Sequence, residues 1–277
     1  EFVKETENCD SSTCYALVRN YSCDTTGSET SMVLTPGKHT LKFEFGDDTA
    51  YAFNLACDSS LTTCGLLDVP NCVYDLDANV QSAQTCFNVT ADNVTLDCKG
   101  REINYPYSGI IGYGIVSNSS FTTVKNCMIV EGVDAGSDKY AVFIQKGVNG
   151  TISNNSIITS GDNGYGIYID STSNYNITSN NISSKGNGAV GIFGVSTPNT
   201  RIVNNQILTK GSFGEGIELS SSDRSVVSGN TILTSGSSGF GILLNPSSYV
   251  NITNNTITSI GSSAHGIRSF SFSDFNS

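Results

Sequence analysis

Four acids in the second half of the chain, Asp170, Glu215, Glu218 and Asp223, are of the type that moves protons in hydrolytic chemistry. Such chemistry on a glycosidic bond needs two carboxyl groups on one face, about 5–10 Å apart. A second set, Glu131, Asp134, Asp138 and Asp162, offers the oxygen donors that calcium takes if one turn gathers them. Phe143, Tyr168 and Phe193 recur at intervals of 25 residues. A row of exposed aromatics is a contact surface for sugars or proteins. Cys9 and Cys14 enclose four residues, a spacing that zinc ligands also use. Each of these chemistries depends on which side chains the fold brings together.

The elements that must position them are repeats. From Tyr140 to Ala264 the chain is five consecutive 25-residue blocks, followed by a half-block. The third position of each block is Val142, Ile167, Ile192, Ile217 or Ile242, with Ile267 in the half-block. The thirteenth is Ile152, Ile177, Ile202, Val227 or Ile252. The sixteenth is Asn155, Asn180, Asn205, Asn230 or Asn255, and the twenty-second is Gly161, Gly186, Gly211, Gly236 or Gly261. A fixed period of this size means a solenoid, whose units bury their apolar faces only against neighbours. A leucine-rich repeat would need leucines and helical stretches. Here the remaining positions are Ser, Thr, Gly and Asn, which favour turns, and the apolar columns are Ile and Val, which suit strands. The fold expected is all-β, a parallel β-helix over residues 65–277 behind a small, disulfide-stapled β module at residues 1–64.

This architecture decides where the chemistry-bearing residues fall. Asp170 is in the sixth column, Glu215 in the first, Glu218 in the fourth and Asp223 in the ninth. None shares a column with an acid of the next coil, so no catalytic residue is assigned. The set around Glu131 is expected as a solvated acidic loop, with no metal and no cofactor. The fourth column reads Phe143, Tyr168, Phe193, Glu218, Leu243 and Arg268. It follows an inward column, so strand alternation points it outward. Its three aromatics are expected to form a stripe that contacts a ligand or another subunit. The sixteenth-column asparagines are expected at a left-handed bend, linked amide to amide. The twenty-second-column glycines are expected to supply a turn with positive φ.

Upstream, Tyr113-Gly-Ile-Val opens a 27-residue block in which Asn126 and Met128 take the bend columns. The run from Cys64 through Tyr74-Asp-Leu, Asn79-Val and Cys86-Phe-Asn-Val-Thr-Ala-Asp-Asn-Val-Thr-Leu-Asp-Cys98 to Val124-Lys-Asn-Cys127 resembles the opening coils of secreted right-handed β-helix repeat proteins. That family includes NosD-like and carbohydrate-active domains and many archaeal surface proteins. The resemblance implies the fold and no particular activity. His265-Gly-Ile-Arg268 resembles an element of polygalacturonases, but the companion Asp-Asp motif is missing, and a surface position is expected.

The formal net charge of −11, with 14 Lys and Arg, argues against a nucleic-acid partner. No apolar run is long enough for a membrane span. All nine cysteines lie in the first 127 residues, which points to an oxidising exterior. Cys9/Cys14 and Cys57/Cys64 sit in similar sequence settings. Cys98 and Cys127, near one bend and one coil apart, are expected to bridge two coils. Zinc is not expected, and the odd cysteine implies a free thiol or an intermolecular bond. Ten Asn-x-Ser/Thr sequons, at Asn20, Asn88, Asn93, Asn118, Asn149, Asn154, Asn176, Asn181, Asn251 and Asn254, point to glycosylation.

Two functions follow. The first is a glycosylated extracellular or cell-surface structural protein. Its copies would meet head to tail in a filament or surface layer, or it would act as an adhesin, with Phe270 and Phe272 among the subunit contacts. The alternative is a polysaccharide-binding or carbohydrate-active β-helix.

Overall fold

The computed structural model describes residues 60–106, 112–132 and 137–270 in full, and within residues 8–59 the backbone of the strands. Three parallel sheets of nine, nine and eight strands wrap one core, and no helix occurs among the described residues. In the regular coils the first sheet is built from Tyr140–Gln145, Ile167–Asp170, Ile192–Val195, Ile217–Ser220, Ile242–Leu244 and Ile267–Ser269. Thr151–Ser153 and its equivalents make the second sheet, and Ser156–Thr159 and its equivalents the third. Register follows the repeat: Ile167 pairs with Ile192, Ile177 with Ile202 and Ile182 with Ile207. These isoleucine columns are buried and form the core. The expected parallel β-helix is therefore the fold.

Towards the N-terminus the strands turn antiparallel. Asn8–Cys9, Cys14–Asn20 and Ser28–Leu34 form one sheet, and Gly37–Lys42 pairs with Ala50–Leu55. Asp58–Leu61 already pairs in parallel with Val73–Leu76, so solenoid pairing begins before residue 65.

The asparagine ladder is present, but its backbone geometry differs from expectation. The left-handed residue is one place earlier, at Asn154 (φ 56°), Ser179 (57°), Asn204 (57°), Gly229 (69°) and Asn254 (56°). In the upstream coil Asn126 holds that place, and Met128 pairs with Ser156, so Cys127 stands in the ladder column. The ladder asparagines do a different job. Asn205 Nδ2 donates to Ile177 O at 2.9 Å, Val203 O at 3.2 Å and Asn230 Oδ1 at 3.0 Å. Its Oδ1 accepts from Asn180 N and Nδ2 at 2.9 and 3.0 Å. A buried amide that meets its own copy above and below leaves no donor orphaned.

The glycine column also differs. None of Gly161, Gly186, Gly211, Gly236 and Gly261 has positive φ. Their requirement is close approach: a Cβ on Gly211 would lie 1.8 Å from Gly186 O. A second glycine column, Gly166, Gly191, Gly216 and Gly241, has a larger consequence. A Cβ on Gly216 would lie 2.3 Å from Ile232 Cγ2 and 2.6 Å from Gly241 O. Gly216 and Ile217 are both buried. Two successive inward residues interrupt strand alternation, and so the first and fourth columns both face outward.

Cys98–Cys127 is bonded as expected. Cys64 bonds Cys86, 22 residues on, so its partner is not the nearby Cys57. Cys72 is disulfide-bonded too, which leaves no free thiol among the described cysteines. The side chains of Cys9, Cys14 and Cys57 lie outside the described residues; the backbones of Cys9 and Cys14 are register partners.

Candidate functional site

Because the first and fourth columns share a face, their aromatics meet. Tyr113, Tyr140 and Tyr165 stack along the first column, with ring centroids 5.5 and 4.9 Å apart. Phe143, Tyr168 and Phe193 stack along the fourth at 4.9 and 5.1 Å, with planes within 17° of parallel. The columns touch edge to face, Tyr140 on Phe143 at 5.6 Å and Tyr165 on Tyr168 at 5.7 Å. All six rings are partly exposed. The three expected aromatics are thus half of a two-column platform. Offset stacks and edge-to-face contacts are the favourable geometries for aromatic rings, so the platform is rigid before anything lands on it.

One coil further, both columns change character. Glu218 pairs in register with Phe193 on one side and Leu243 on the other. Glu215 takes the first column between Val190 and Phe240. Its neighbours are buried, and Glu215 itself is only 8% exposed. Burial pushes the Glu215 carboxyl up to about 7, and the nearby charge of Glu218 adds to the shift. Burial also raises Glu218, against the pull of Asn245, whose Nδ2 donates to Oε1. The Tyr165 hydroxyl is pushed up to about 12 by burial and then by the charge of Glu218. Platform and carboxyls therefore share one electrostatic environment.

Such a pair has a definite chemical capacity. Two carboxyl groups in mutual electrostatic contact, one kept protonated near neutral pH, are the equipment of general acid–base catalysis. Phe213 stands on the turn two residues before Glu215, 63% exposed and in the left-handed region (φ 55°). Other coils put Asn163, Gly188, Ser238 and Ser263 there, residues small or suited to that backbone. Beyond the acids, Phe240 stacks on His265 at 5.6 Å, and the Arg268 guanidinium lies over Phe240 and Phe270 at 4.9 and 4.7 Å.

Pairing acids only along columns hides Glu215 and Glu218, which meet within one coil. The available signal is the glycine between them, recurring at the second position. Within the set around Glu131, Glu131 itself departs from the expected solvated loop. Glu131 is buried, and its Oε2 accepts from Ser160 N at 2.7 Å and Gly161 N at 3.1 Å. Asp138 and Asp162 are exposed, and Asp134 lies outside the described residues. Among the described residues no group of three or more His, Cys, Asp or Glu is placed to hold a metal. Phe270 is exposed, and Phe272 lies outside the described residues. Asn88, Asn93, Asn118, Asn149, Asn154, Asn181, Asn251 and Asn254 are exposed and Asn176 is partly so; the side chain of Asn20 is outside the described set.

These features define a β-solenoid with stacked aromatics and two acids on one face. A family profile described as "right handed beta helix region" matches residues 108–276, and the chain belongs to that family. Among solved structures it is similar to a periplasmic alginate epimerase, with a TM-score of 0.51 and 12% identity over 74% of this chain and 58% of that one. A DFA-IIIase from Arthrobacter chlorophenolicus A6 without its lid gives 0.44 at 12% identity over 77% and 79% of the two chains. The Dettilon tailspike protein gives 0.38 at 12% identity over 76% and 60%. At this identity the epimerase likeness concerns the fold alone, and the chain spans 58% of the epimerase's length. No curated protein sequence matches the chain.

Proposed function

We propose that this protein binds a polysaccharide along the platform of the first sheet and hydrolyses it at Glu215 and Glu218. One observation carries this reading: six stacked rings lead, in strand register, to two desolvated carboxyls on the same face. The exposed parts of these rings offer apolar contact to sugar C–H groups. Glu215, which keeps its proton near neutral pH, gives it to the leaving glycosidic oxygen. In this scheme Glu218 acts in its carboxylate form, held by Asn245, and takes a proton from the attacking water. One C–O bond breaks, one water is consumed, and before the next turnover Glu218 releases its proton while Glu215 regains one.

The named substrate of the alginate epimerase is a polysaccharide, so the fold can present a face to one. The residues that argue for it here are this chain's own. Of the two functions expected from the sequence, the carbohydrate-active one has the better support. The disulfides support a location outside the cytoplasm. No helix among the described residues is long and apolar enough to cross a membrane. Glycosylation and head-to-tail assembly are separate proposals, tested by mass spectrometry of glycopeptides and by sedimentation over a range of concentrations.

The test is incubation of the purified chain with a panel of polysaccharides, followed by measurement of new reducing ends. Activity on at least one, lost in Glu215→Gln and in Glu218→Gln, supports the reading. A folded chain that neither retains nor cleaves any polysaccharide in the panel overturns it.

A further inference from the structure

The charges around the platform narrow the ligand. Among the outward first-sheet positions from Tyr140 to Asn245, the carboxyl and basic side chains are Asp170, Glu215 and Glu218, all acidic. The turn entering this sheet adds the exposed acids Asp138 and Asp162, and Asp138 helps to raise both Tyr140 and Tyr165. Lys146, Lys185 and Lys210 stand on turns, outside these columns. The first cation on the face is Arg268, two coils past Glu218, with its guanidinium laid over Phe240 and Phe270.

A polyuronate or sulfated glycan brings one negative group with nearly every sugar. Recognising it takes Arg or Lys beside each subsite, the guanidinium fork being the usual match. Here each such sugar would meet an aromatic ring or another carboxylate. Repulsion of this kind grows as water is excluded, and Glu218, flanked in register by Phe193 and Leu243, is partly buried. An uncharged sugar ring meets no such penalty, since its C–H groups contact the exposed parts of the rings and its hydroxyls donate to the acids.

We propose that the ligand is a neutral polysaccharide, and that the acidic face excludes uronate-containing and sulfated chains. This rests on the glycan reading above and separates the chain's substrate from that of the alginate epimerase whose fold it shares.

Affinity electrophoresis of the full chain tests the idea, with inulin, xylan, galactomannan and mixed-linkage glucan as neutral probes, and alginate and polygalacturonate as acidic ones. The expected result is retardation by at least one neutral probe, insensitive to added salt and at least tenfold stronger than by either acidic one. It should vanish in Tyr168→Ala/Phe193→Ala, whose folding is checked by circular dichroism. Glu215→Gln/Glu218→Gln should gain retardation by alginate. If an acidic probe binds the wild type equally well and the aromatic variant loses it, the neutral assignment falls while the glycan reading stands. If no probe binds, or binding survives loss of the aromatics, both fall.

Discussion

The bend ladder and the outward columns of the first sheet are both stacks of side chains at the spacing of adjacent strands, about 4.8 Å. They have opposite histories of change. The ladder is asparagine in five coils running and is buried for most of its length. The first column passes through Tyr140, Tyr165, Val190, Glu215, Phe240 and His265. In the ladder each side chain's partner is its own copy, so changing one residue strands groups on two neighbours. On the platform the proposed partner lies outside the chain, and residues change in blocks, aromatic and then acidic. Uniform columns hold this molecule together; the varied columns carry the proposed site.

That contrast can be broken at either end. The largest effect should come from Glu215→Gln, which we expect to lower the cleavage rate by about 10²–10⁴-fold while polysaccharide retention persists. Equal loss of binding and rate would make Glu215 a binding residue. Next is Asn205→Leu. Leucine leaves the Asn180 backbone N–H without its acceptor and Ile177 O without its side-chain donor, while Asn230 Oδ1 keeps only the backbone N–H of residue 205. With each buried orphan costing about 1–3 kcal/mol, a loss of about 3–5 kcal/mol in chemical denaturation is expected. An unchanged midpoint would show that the ladder does not hold the coils.

A pH series sharpens the same comparison. The folded pKa of Glu215, about 7, lies above its ordinary value of 4.5. The carboxyl's contribution to stability is therefore complete below about pH 4.5 and is lost as pH rises through 7. The wild type should lose about 2–3 kcal/mol over that window relative to Glu215→Gln, and the two should converge in acid. Parallel curves would contradict the burial argument. Tyr168→Ala should weaken polysaccharide retention about five- to tenfold, near the worth of one aromatic contact, with the ladder intact. The smallest effect is at Phe213. Asparagine suits the left-handed backbone there, so Phe213→Asn should raise stability by about 0.5–1 kcal/mol and reduce retention. Greater stability with unchanged retention would remove Phe213 from the site.

What was legible in the sequence is what repeats. Inward isoleucines recur every 25 residues because each needs the same neighbour above and below, and the solenoid follows from them. The bridge from Cys98 to Cys127 was legible because both cysteines flank one bend. The bend itself was displaced by one residue, since Asn154 and Asn155 are adjacent and either suits a left-handed turn. The twenty-second-column glycines hid their reason, because crowding against a carbonyl leaves the same letter as positive φ. Glu215 and Glu218 were visible as residues and not as a pair. Strict alternation puts positions three apart on opposite faces, and only the tight packing of Gly216 on Ile232 cancels it.

The constant period also sets how such a protein can change length. An inserted stretch of 25 residues, bounded anywhere, restores every column on the far side; one of 24 or 26 within a strand would turn its core outward. Growth by whole-coil duplication is therefore the neutral path, and each copy taken from Tyr140–Gly164 or Tyr165–Ala189 adds one rung of paired rings to the platform. A gene that stutters in these units would lengthen the platform in uniform steps, with Glu215 and Glu218 kept at one end. The solenoid is in this sense a ruler, and the number of its rungs is an inheritable measure of the platform's length.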